Sequence, residues 1–428
     1  MSDARLARWQ NVTLGTLFTG YVGYYICRAN LSVCTPLLLQ EYGSPEFNKE
    51  TIGNIASAGL IAYVIGKITN GLSADYLGGK KLFITGMIGS IVCTVLFGLS
   101  GVAAFTLIWA VNRYFQSMGW VSLVKVASRW YPVYRHATVM GILSASYLIG
   151  DAIAKAYLGT FITYDFGWRS VFGVAAGTFS LIAVGALLLL RSSPNDVGEL
   201  EPAANPENVY GHAGDSAEPV HVFTLLAPLF KNFTFWIVCV INFGLTLIRE
   251  TFNFWTPTFL FEATGLAAGD AAIKSLLFPL VGAASVFIAG LLSDRLGRQH
   301  GRVVVPCLVL LVVTLFLLSN ISVEGRPTLA LIFISAVSFF LLAPYSYLSG
   351  VMALDIGGKR GSSTTSGLID AAGYLGAILS GTAIGQLAEN YGWTSAFRFL
   401  AWVSVATIVA AVIYWVAHER SERKLRDA

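Results

Sequence analysis

The chain has 428 residues, of which 55% are hydrophobic and 12% are charged, with a formal net charge of +4 and a mean hydropathy of +0.66. Soluble domains carry about 25% charged residues, so this composition excludes a soluble globular protein. Apolar stretches of about 18 or more residues recur along the whole length, which predicts an all-α membrane protein that crosses the lipid bilayer many times. The basic residues lie in loops that flank these stretches, so the net charge gives no reason to expect nucleic acid as a partner.

Twelve apolar spans are predicted, in two groups of six. Residues 1–191 are expected to form the first six-helix half and residues 232–428 the second, with a short basic tail. Residues 192–231 are polar, acidic and contain Pro and Gly, which predicts a flexible cytoplasmic linker. The spans lie at about 11–39, 51–74, 82–101, 104–130, 137–162, 169–190, 234–261, 272–293, 303–322, 327–352, 363–388 and 393–416.

The distribution of Lys and Arg predicts the orientation in the membrane. These residues are concentrated in the connections that follow even-numbered spans and in the C-terminal tail. By the positive-inside rule, both termini are expected in the cytoplasm, in a multi-pass protein of the cytoplasmic membrane. The polar N-terminus runs into the first span without a small-residue cleavage site, so we expect a signal anchor and no cleaved signal peptide.

The first pair of intramembrane charges is Arg28 in span 1 and Arg249 in span 7. A charge at bilayer depth costs at least about 2.5–3.5 kcal/mol, so such residues usually face a bundle interior or a solute path. The two arginines are 221 residues apart (249 − 28), close to the 219-residue offset (290 − 71) between similar loops at Gly71 and Gly290. We therefore interpret them as equivalent positions of a repeat that bind a tetrahedral anion. A purely structural pairing with carboxylates or carbonyls is the alternative.

Four residues are expected to bind substrate with the arginines. Tyr21, Tyr24 and Tyr25 lie within two helical turns of Arg28, and their hydroxyls could donate to phosphate oxygens or to a substrate hydroxyl. Aromatic packing between helices is the alternative for each. Lys67 in span 2 is interpreted as a third positive charge on the translocation path, with structural pairing as the alternative.

Span 5 carries Asp151 and Lys155, four residues apart in the acid-then-base order that favours an intrahelical ion pair. A self-neutralised pair that lets the span insert is the favoured interpretation. The alternatives are a movable pair that releases Lys155 when an anion enters, and a proton relay at Asp151.

Further charges in the spans are candidates for coupling or cavity roles. Glu250 lies about 100° around the helix from Arg249, so the two need not pair. Glu250 and Asp370 could balance a cavity base, contact a substrate ammonium or carry a coupling proton. Arg113 is expected at central depth in span 4, whereas Lys125 is nearer the cytoplasm and is expected to pair or to extend to the interface.

The same sequence argues against cofactors and catalysis. All five cysteines lie in apolar spans without metal-ligand spacing. There is no phosphate-binding loop of the G-x-x-x-x-G-K-[ST] type, and no nucleophile–base arrangement. We therefore expect neither a metal, nor a cofactor, nor an enzyme.

Several motifs resemble those of one transporter family. Each half has a G-x-x-x-D-x-x-G loop followed by bases, a hallmark of the major facilitator superfamily. The loops are expected to pair acid with base across the cytoplasmic helix ends and to latch one conformer. Their charged residues are Asp75, Lys80 and Lys81 in the first loop and Asp294, Arg295 and Arg298 in the second.

Within that superfamily the chain resembles the organophosphate:phosphate antiporters, which include bacterial glycerol-3-phosphate and hexose-phosphate transporters. The resemblance implies a twelve-helix fold in which the arginines matching Arg28 and Arg249 bind the phosphoryl group. The matching segments are Gly20–Asn30, Gln116–Trp120, Arg129–Tyr131, Ser193–Gly198 and Arg249 with Trp255–Thr258.

The departures from that family concern the substrate. The span-5 histidine of the family aligns with Ser146, and all five histidines of this chain are expected in loops or tails. Arg113, in Arg-x-x-Gln-Ser-x-Gly, matches a motif that is commoner in proton-coupled members. We expect a monomer that exchanges a small organophosphate for inorganic phosphate. A proton-coupled symporter of an organic anion or phosphonate, and a transport-like membrane sensor of a phosphorylated ligand, are the alternatives.

Overall fold

The computed structural model describes residues 2–42, 44, 47, 49–164, 166–205, 208–216, 221–266, 268–295 and 300–426. Their regular structure is helical, apart from an isolated bridge between Ser44 and Phe47. The helices are α1 (Ser2–Tyr42), α2 (Lys49–Leu77), α3 (Gly79–Leu99), α4 (Val102–Gln116), α5 (Met118–Trp130), α6 (His136–Thr163), α7 (Trp168–Leu189), α8 (Val222–Lys231), α9 (Phe233–Thr264), α10 (Ala268–Ser275), α11 (Leu277–Arg295), α12 (Gly301–Asn320), α13 (Pro327–Tyr347) and α14 (Ala353–Arg426).

The described helices accommodate the twelve predicted spans. Nine helical segments of the described residues are long and apolar enough to cross a membrane. One of them, Pro327–Ala388, has 62 residues, enough for two crossings at about 20 residues each. The other two spans are α1 and the pair α4–α5, which meets at Ser117 with helical backbone angles (φ −65°, ψ −22°). The chain is an all-α membrane protein of twelve transmembrane helices.

The long run α14 contains two predicted spans and is not one straight helix. A straight helix of its 74 residues would be about 110 Å long, several times the thickness of a bilayer. Gly358 and Gly392 adopt left-handed backbone angles (φ 54° and 76°), which glycine tolerates and other residues rarely do. These glycines mark the turns before and after predicted span 11.

Packing divides the chain into two compact units. Unit 1 comprises Met1–Val133, Ser146–Val222 and Gly357–Gly367, and unit 2 comprises Tyr134–Ala145, Phe223–Ile356 and Leu368–Ala428. The start of α6 therefore packs with unit 2, and a short segment of α14 packs with unit 1. We call residues 357–367 the exchanged segment.

In unit 1, small residues let α2 and α4 approach closely. A Cβ at Gly59 would overlap the Trp109 ring and the stem of Arg113, and one at Gly66 would overlap the Ser117 hydroxyl. Helix contacts built on small residues are a common solution inside membranes, where hydrophobicity alone does not hold helices together. The close crossing places the polar side of α4 against the middle of α2.

A buried ion pair in unit 1 holds the exchanged segment. Lys125 Nζ lies 2.8 Å from Asp75 Oδ1, with both side chains 2% exposed. Lys125 also donates to the carbonyl of Lys359 at 2.5 Å, and Asp75 accepts from the backbone N–H of Thr364 at 2.7 Å. The pairing expected of Lys125 is confirmed, because its charge is buried beside an acid.

This arrangement changes the partner expected for Asp75, and the latch itself stays a prediction. In the described part of the chain, Asp75 pairs with Lys125 on α5, whereas Lys80 and Lys81 lie half-buried and exposed at the start of α3. The reason is that α5 places the Lys125 amine at the buried end of α2, where Asp75 lies, whereas Lys80 and Lys81 belong to the start of α3 and are less buried. In the second loop, the side chains of Asp294 and Arg295 and all of Arg298 lie outside the described residues.

The segment predicted as a flexible linker folds, in its described part, onto unit 1. Two 3-10 turns (Pro194–Val197 and Gly211–Asp215) precede α8. The Glu201 carboxylate pairs with Arg129 and lies 3.6 Å from the Lys359 amine. Tyr210 lies directly against Gly361, where a Cβ would overlap its hydroxyl, and burial raises the pKa of the Tyr210 phenol. These residues of the predicted linker thus have specific polar partners, and the flexibility of the linker stays a prediction.

Unit 2 has its own aromatic core and a buried polar cluster. Phe252 stacks on Phe278 and Phe397, with ring centroids 5.8 and 5.7 Å apart. The Asp355 carboxylate lies 3.0 Å from His300 Nε2 and 4.0 Å from His136 Nδ1. Both histidines come from predicted loops, yet both are buried, because the ends of the adjacent helices enclose them.

Candidate functional site

The Arg28 side chain is held by three groups of unit 1. Its Nε donates to Gln116 Oε1 at 3.1 Å, and its Nη2 donates to the Tyr63 hydroxyl at 3.3 Å. The guanidinium lies over the Tyr25 ring, 4.4 Å from its centroid. Hydrogen bonds fix the plane of the guanidinium and the ring supports one face, so this arginine is oriented within the membrane interior.

Three cations converge on the ring of Tyr63. The guanidinium carbons of Arg28 and Arg113 lie 5.0 and 4.6 Å from its centroid, and Lys67 Nζ lies 5.1 Å from it. We call Arg28, Lys67, Arg113 and Tyr63 the cation cluster. Lys67 and Tyr63 share one face of α2 because they are four residues apart. Charges of one sign repel at short range, and an anion bound among them would reduce that repulsion.

The three tyrosines of α1 have different surroundings. Tyr25 lies beside Arg28, as predicted for this group. Tyr24 is fully buried, and its hydroxyl donates to the Phe83 carbonyl of α3 at 2.6 Å. Because its hydroxyl proton is already donated to α3, the proposed contact of Tyr24 with substrate is not supported. Tyr21 packs against Trp120, with ring centroids 5.6 Å apart, which is the aromatic packing named as its alternative.

In unit 2, Arg249 is paired with an acid. Its Nε donates to Glu250 Oε1 at 2.9 Å, and its Nη1 donates to the Tyr345 hydroxyl at 2.5 Å. The guanidinium also lies 4.6 Å from the Tyr345 ring centroid. The expectation that neighbouring Arg249 and Glu250 need not pair is corrected: both side chains are long enough to cover the 100° between them, and burial favours neutralising the charge.

The remaining candidate charges are Asp151, Lys155 and Asp370. Lys155 Nζ lies 2.6 Å from Asp151 Oδ2, so the predicted intrahelical ion pair is confirmed; these side chains are 44% and 28% exposed. Asp370 is buried in unit 2. The structure brings Arg113 to Arg28 and Lys67, and it leaves the Asp151–Lys155 pair as a separate group.

Two residues of the site carry no role in the sequence prediction. Tyr63 is the centre of the cation cluster, and its only signal was a position four residues before Lys67. Gln116 was part of the motif that carried the resemblance, yet its contacts with Arg28 and Arg113 span two helices. Among the described residues, no group of three His, Cys, Asp or Glu side chains could hold a metal ion.

A family model described as Major Facilitator Superfamily matches residues 17–348 and 262–428. The chain belongs to the major facilitator superfamily. The fold agrees with that of a solved Major Facilitator Superfamily transporter, FucP in the outward conformation, with a TM-score of 0.75 at 13% identity, covering 95% of this chain and 99% of that chain. Because it belongs to this superfamily, the present chain is a multi-pass membrane transporter and not an enzyme.

Two curated relatives of this major facilitator are similar over almost their whole length. A probable hexose phosphate transport protein of Chlamydia trachomatis is 26% identical, with 99% of this chain and 96% of the relative covered. A glycerol-3-phosphate transporter of Bacillus subtilis is 27% identical, with 98% and 95% covered. The similarity extends through both halves of the chain.

Proposed function

We propose that this transporter exchanges a small organophosphate for inorganic phosphate by alternating access. It acts as a monomer in the cytoplasmic membrane, with both termini in the cytoplasm. The observation that carries the proposal is the cation cluster: two guanidinium groups and one ammonium at a single buried phenol. The names of the two relatives, a hexose phosphate and a glycerol-3-phosphate transporter, support the same substrate class.

The chemistry of the cluster suits a phosphoryl group. A guanidinium presents paired N–H donors whose spacing matches two oxygens of a phosphate, and an ammonium adds a compact positive charge. Arg28 and Arg113 supply the planar donors, and Lys67 supplies the point charge. Arg249, the repeat equivalent of Arg28, is proposed as a further phosphoryl ligand from the second half.

Exchange would follow from the repulsion between Arg249 of the second half and the cations of the first. When no anion is bound, a conformational change that draws Arg249 toward the cation cluster raises the electrostatic energy, so that change is disfavoured. A bound phosphoryl group replaces this repulsion with attraction between anion and cations. Because the anion binds the occluded state more tightly than the open state, its binding drives the conformational change. A transporter of this kind changes conformation when loaded, with substrate in one direction and phosphate in the other.

The test is counterflow in proteoliposomes made with the purified protein. Vesicles loaded with radiolabelled phosphate are diluted into buffer with or without glycerol 3-phosphate or glucose 6-phosphate. We expect efflux of label to be at least about tenfold faster with an external organophosphate. Equal efflux in both conditions would contradict obligatory exchange, and protein-free vesicles provide the leak control.

One contact favours a second candidate, a proton-coupled symporter of an organic anion. The Arg249–Glu250 pair must separate before the arginine can bind an anion, and protonation of Glu250 would release it. The two functions differ in their response to a protonophore. Uptake by exchange continues when the proton gradient is dissipated, whereas uptake by a symporter falls to equilibration.

A further inference from the structure

Gln116 joins two of the three cations through a single oxygen atom. Its Oε1 accepts from Arg28 Nε at 3.1 Å and from Arg113 Nη1 at 2.9 Å. The side chain is completely buried at the end of α4. One neutral acceptor thus holds two guanidinium groups from different helices side by side.

The other end of the amide is fixed by a chain of hydrogen bonds. Gln116 Nε2 donates to the Cys27 carbonyl at 3.1 Å and to Asn112 Oδ1 at 2.9 Å. Asn112 Oδ1 also accepts from the Ser90 hydroxyl at 2.8 Å, and Asn112 Nδ2 donates to Thr94 Oγ1 at 3.2 Å. In both amides the oxygen faces a donor and the nitrogen faces an acceptor, so the network sets the orientation of both amides.

Reversing the Gln116 amide would be costly. It would place the amide NH₂ group against two guanidinium donors, a contact without an acceptor. It would also place the amide oxygen against the Cys27 carbonyl, a contact without a donor. The Asn112 amide therefore locks Gln116 with its oxygen toward the arginines. The residues of this lock lie in α3 and α4, and Asn112 directly precedes Arg113 in the chain.

We propose that Gln116 is a positioning residue that holds Arg28 and Arg113 as a paired anion-binding unit. The inference rests on the proposed function and assigns a role within that site. A neutral amide keeps the two positive charges together without itself cancelling either of them. A carboxylate in the same place would keep the acceptor and remove one unit of charge.

The first variants to compare are Gln116→Leu and Gln116→Glu. Loss of the shared acceptor lets the two like charges separate, so we expect Gln116→Leu to raise KM for phosphate exchange about 10–100-fold, as for loss of a hydrogen bond to a charged group. We expect kcat to change less than about threefold. Gln116→Glu places a competing anion between the guanidinium groups, and we expect it to abolish phosphate binding while leaving the protein folded.

Two further variants separate positioning from a general packing effect. Gln10 is also a buried glutamine of unit 1 and donates to the Trp130 carbonyl at 3.0 Å, so Gln10→Leu is the matched control and should leave KM unchanged. If Gln116 acts through Arg113, adding Gln116→Leu to Arg113→Ala should raise KM by a much smaller factor than it does alone.

The readouts are radiolabelled phosphate exchange in proteoliposomes and phosphate binding to the purified protein by calorimetry. An unchanged KM in Gln116→Leu or unchanged phosphate binding in Gln116→Glu would overturn the inference. It would also be overturned if the KM factors of Gln116→Leu and Arg113→Ala simply multiply in the double variant. Should Gln116→Leu fail to fold, the binding result of Gln116→Glu decides. If the unsubstituted protein binds phosphate but does not exchange it, the proposed function fails and the binding comparison still decides the role of Gln116.

Discussion

The buried pair of Lys125 and Asp75 allows a quantitative prediction for Lys125→Met. Methionine has a similar length and no charge, so the substitution leaves a carboxylate buried without its cation. Removing one partner of a buried pair costs about 3–5 kcal/mol. Asp75 keeps the backbone N–H of Thr364 at 2.7 Å, which places the expected loss near the lower limit, about 3 kcal/mol.

That loss should appear as a looser exchanged segment. A penalty of about 3 kcal/mol corresponds to roughly a 100-fold change in an equilibrium constant. Ser363 is fully buried within this segment and donates to the Val121 carbonyl at 2.7 Å. In a Ser363→Cys background, we expect Lys125→Met to increase the labelling rate by a membrane-impermeant maleimide in inside-out vesicles up to about 100-fold.

Two companion variants make the result decisive. Lys155→Met removes a lysine from the separate ion pair with Asp151, which includes no residue of the exchanged segment, so labelling at position 363 should stay unchanged. Adding Asp75→Asn to Lys125→Met removes the orphaned charge and should restore labelling to within about tenfold of the reference. A labelling rate within about twofold of the reference in Lys125→Met would refute the reasoning.

Two further predictions concern the charges of the spans. Arg28→Lys keeps the charge but loses the planar donors to Gln116 and Tyr63, so radiolabelled phosphate exchange should fall at least about tenfold at equal expression; full activity would contradict the guanidinium role. Joint neutralisation by Asp151→Asn and Lys155→Gln should leave exchange within about twofold, because the pair neutralises itself; a loss above about tenfold would show that the pair takes part in transport.

The twelve-helix fold follows from the sequence because the bilayer sets the length of each span. Span 3 was predicted at 82–101 and forms Gly79–Leu99, and span 6 was predicted at 169–190 and forms Trp168–Leu189. The gap predicted near residue 390 coincides with the left-handed Gly392. Apolar length and glycine turns are local properties, so they can be recognised without knowledge of the partners.

The contacts between helices could not be predicted in the same way. Helical periodicity relates residues within one helix, whereas Lys125 meets Asp75 and Arg28 meets Gln116 across sequence separations that periodicity does not describe. Glu250 was misjudged because helix geometry fixes the direction of the Cβ atoms and not the reach of long side chains. Arg28 and Lys67 could be chosen as candidate site residues from the sequence because a charge in an apolar span is already unusual by itself.

The packed linker also determines where this protein can be cut and recombined. Glu201 contacts the end of α5 and the exchanged segment, and Tyr210 contacts the exchanged segment. The linker therefore makes specific contacts in addition to spanning the distance between the halves. A chimera that joins the first half of this chain to the second half of a relative must therefore match the linker to the donor of residues 357–367. A junction placed between Lys231 and Phe233 preserves those contacts if residues 357–367 are also taken from this chain. A junction near Arg191 instead replaces the linker residues of these contacts with those of the relative.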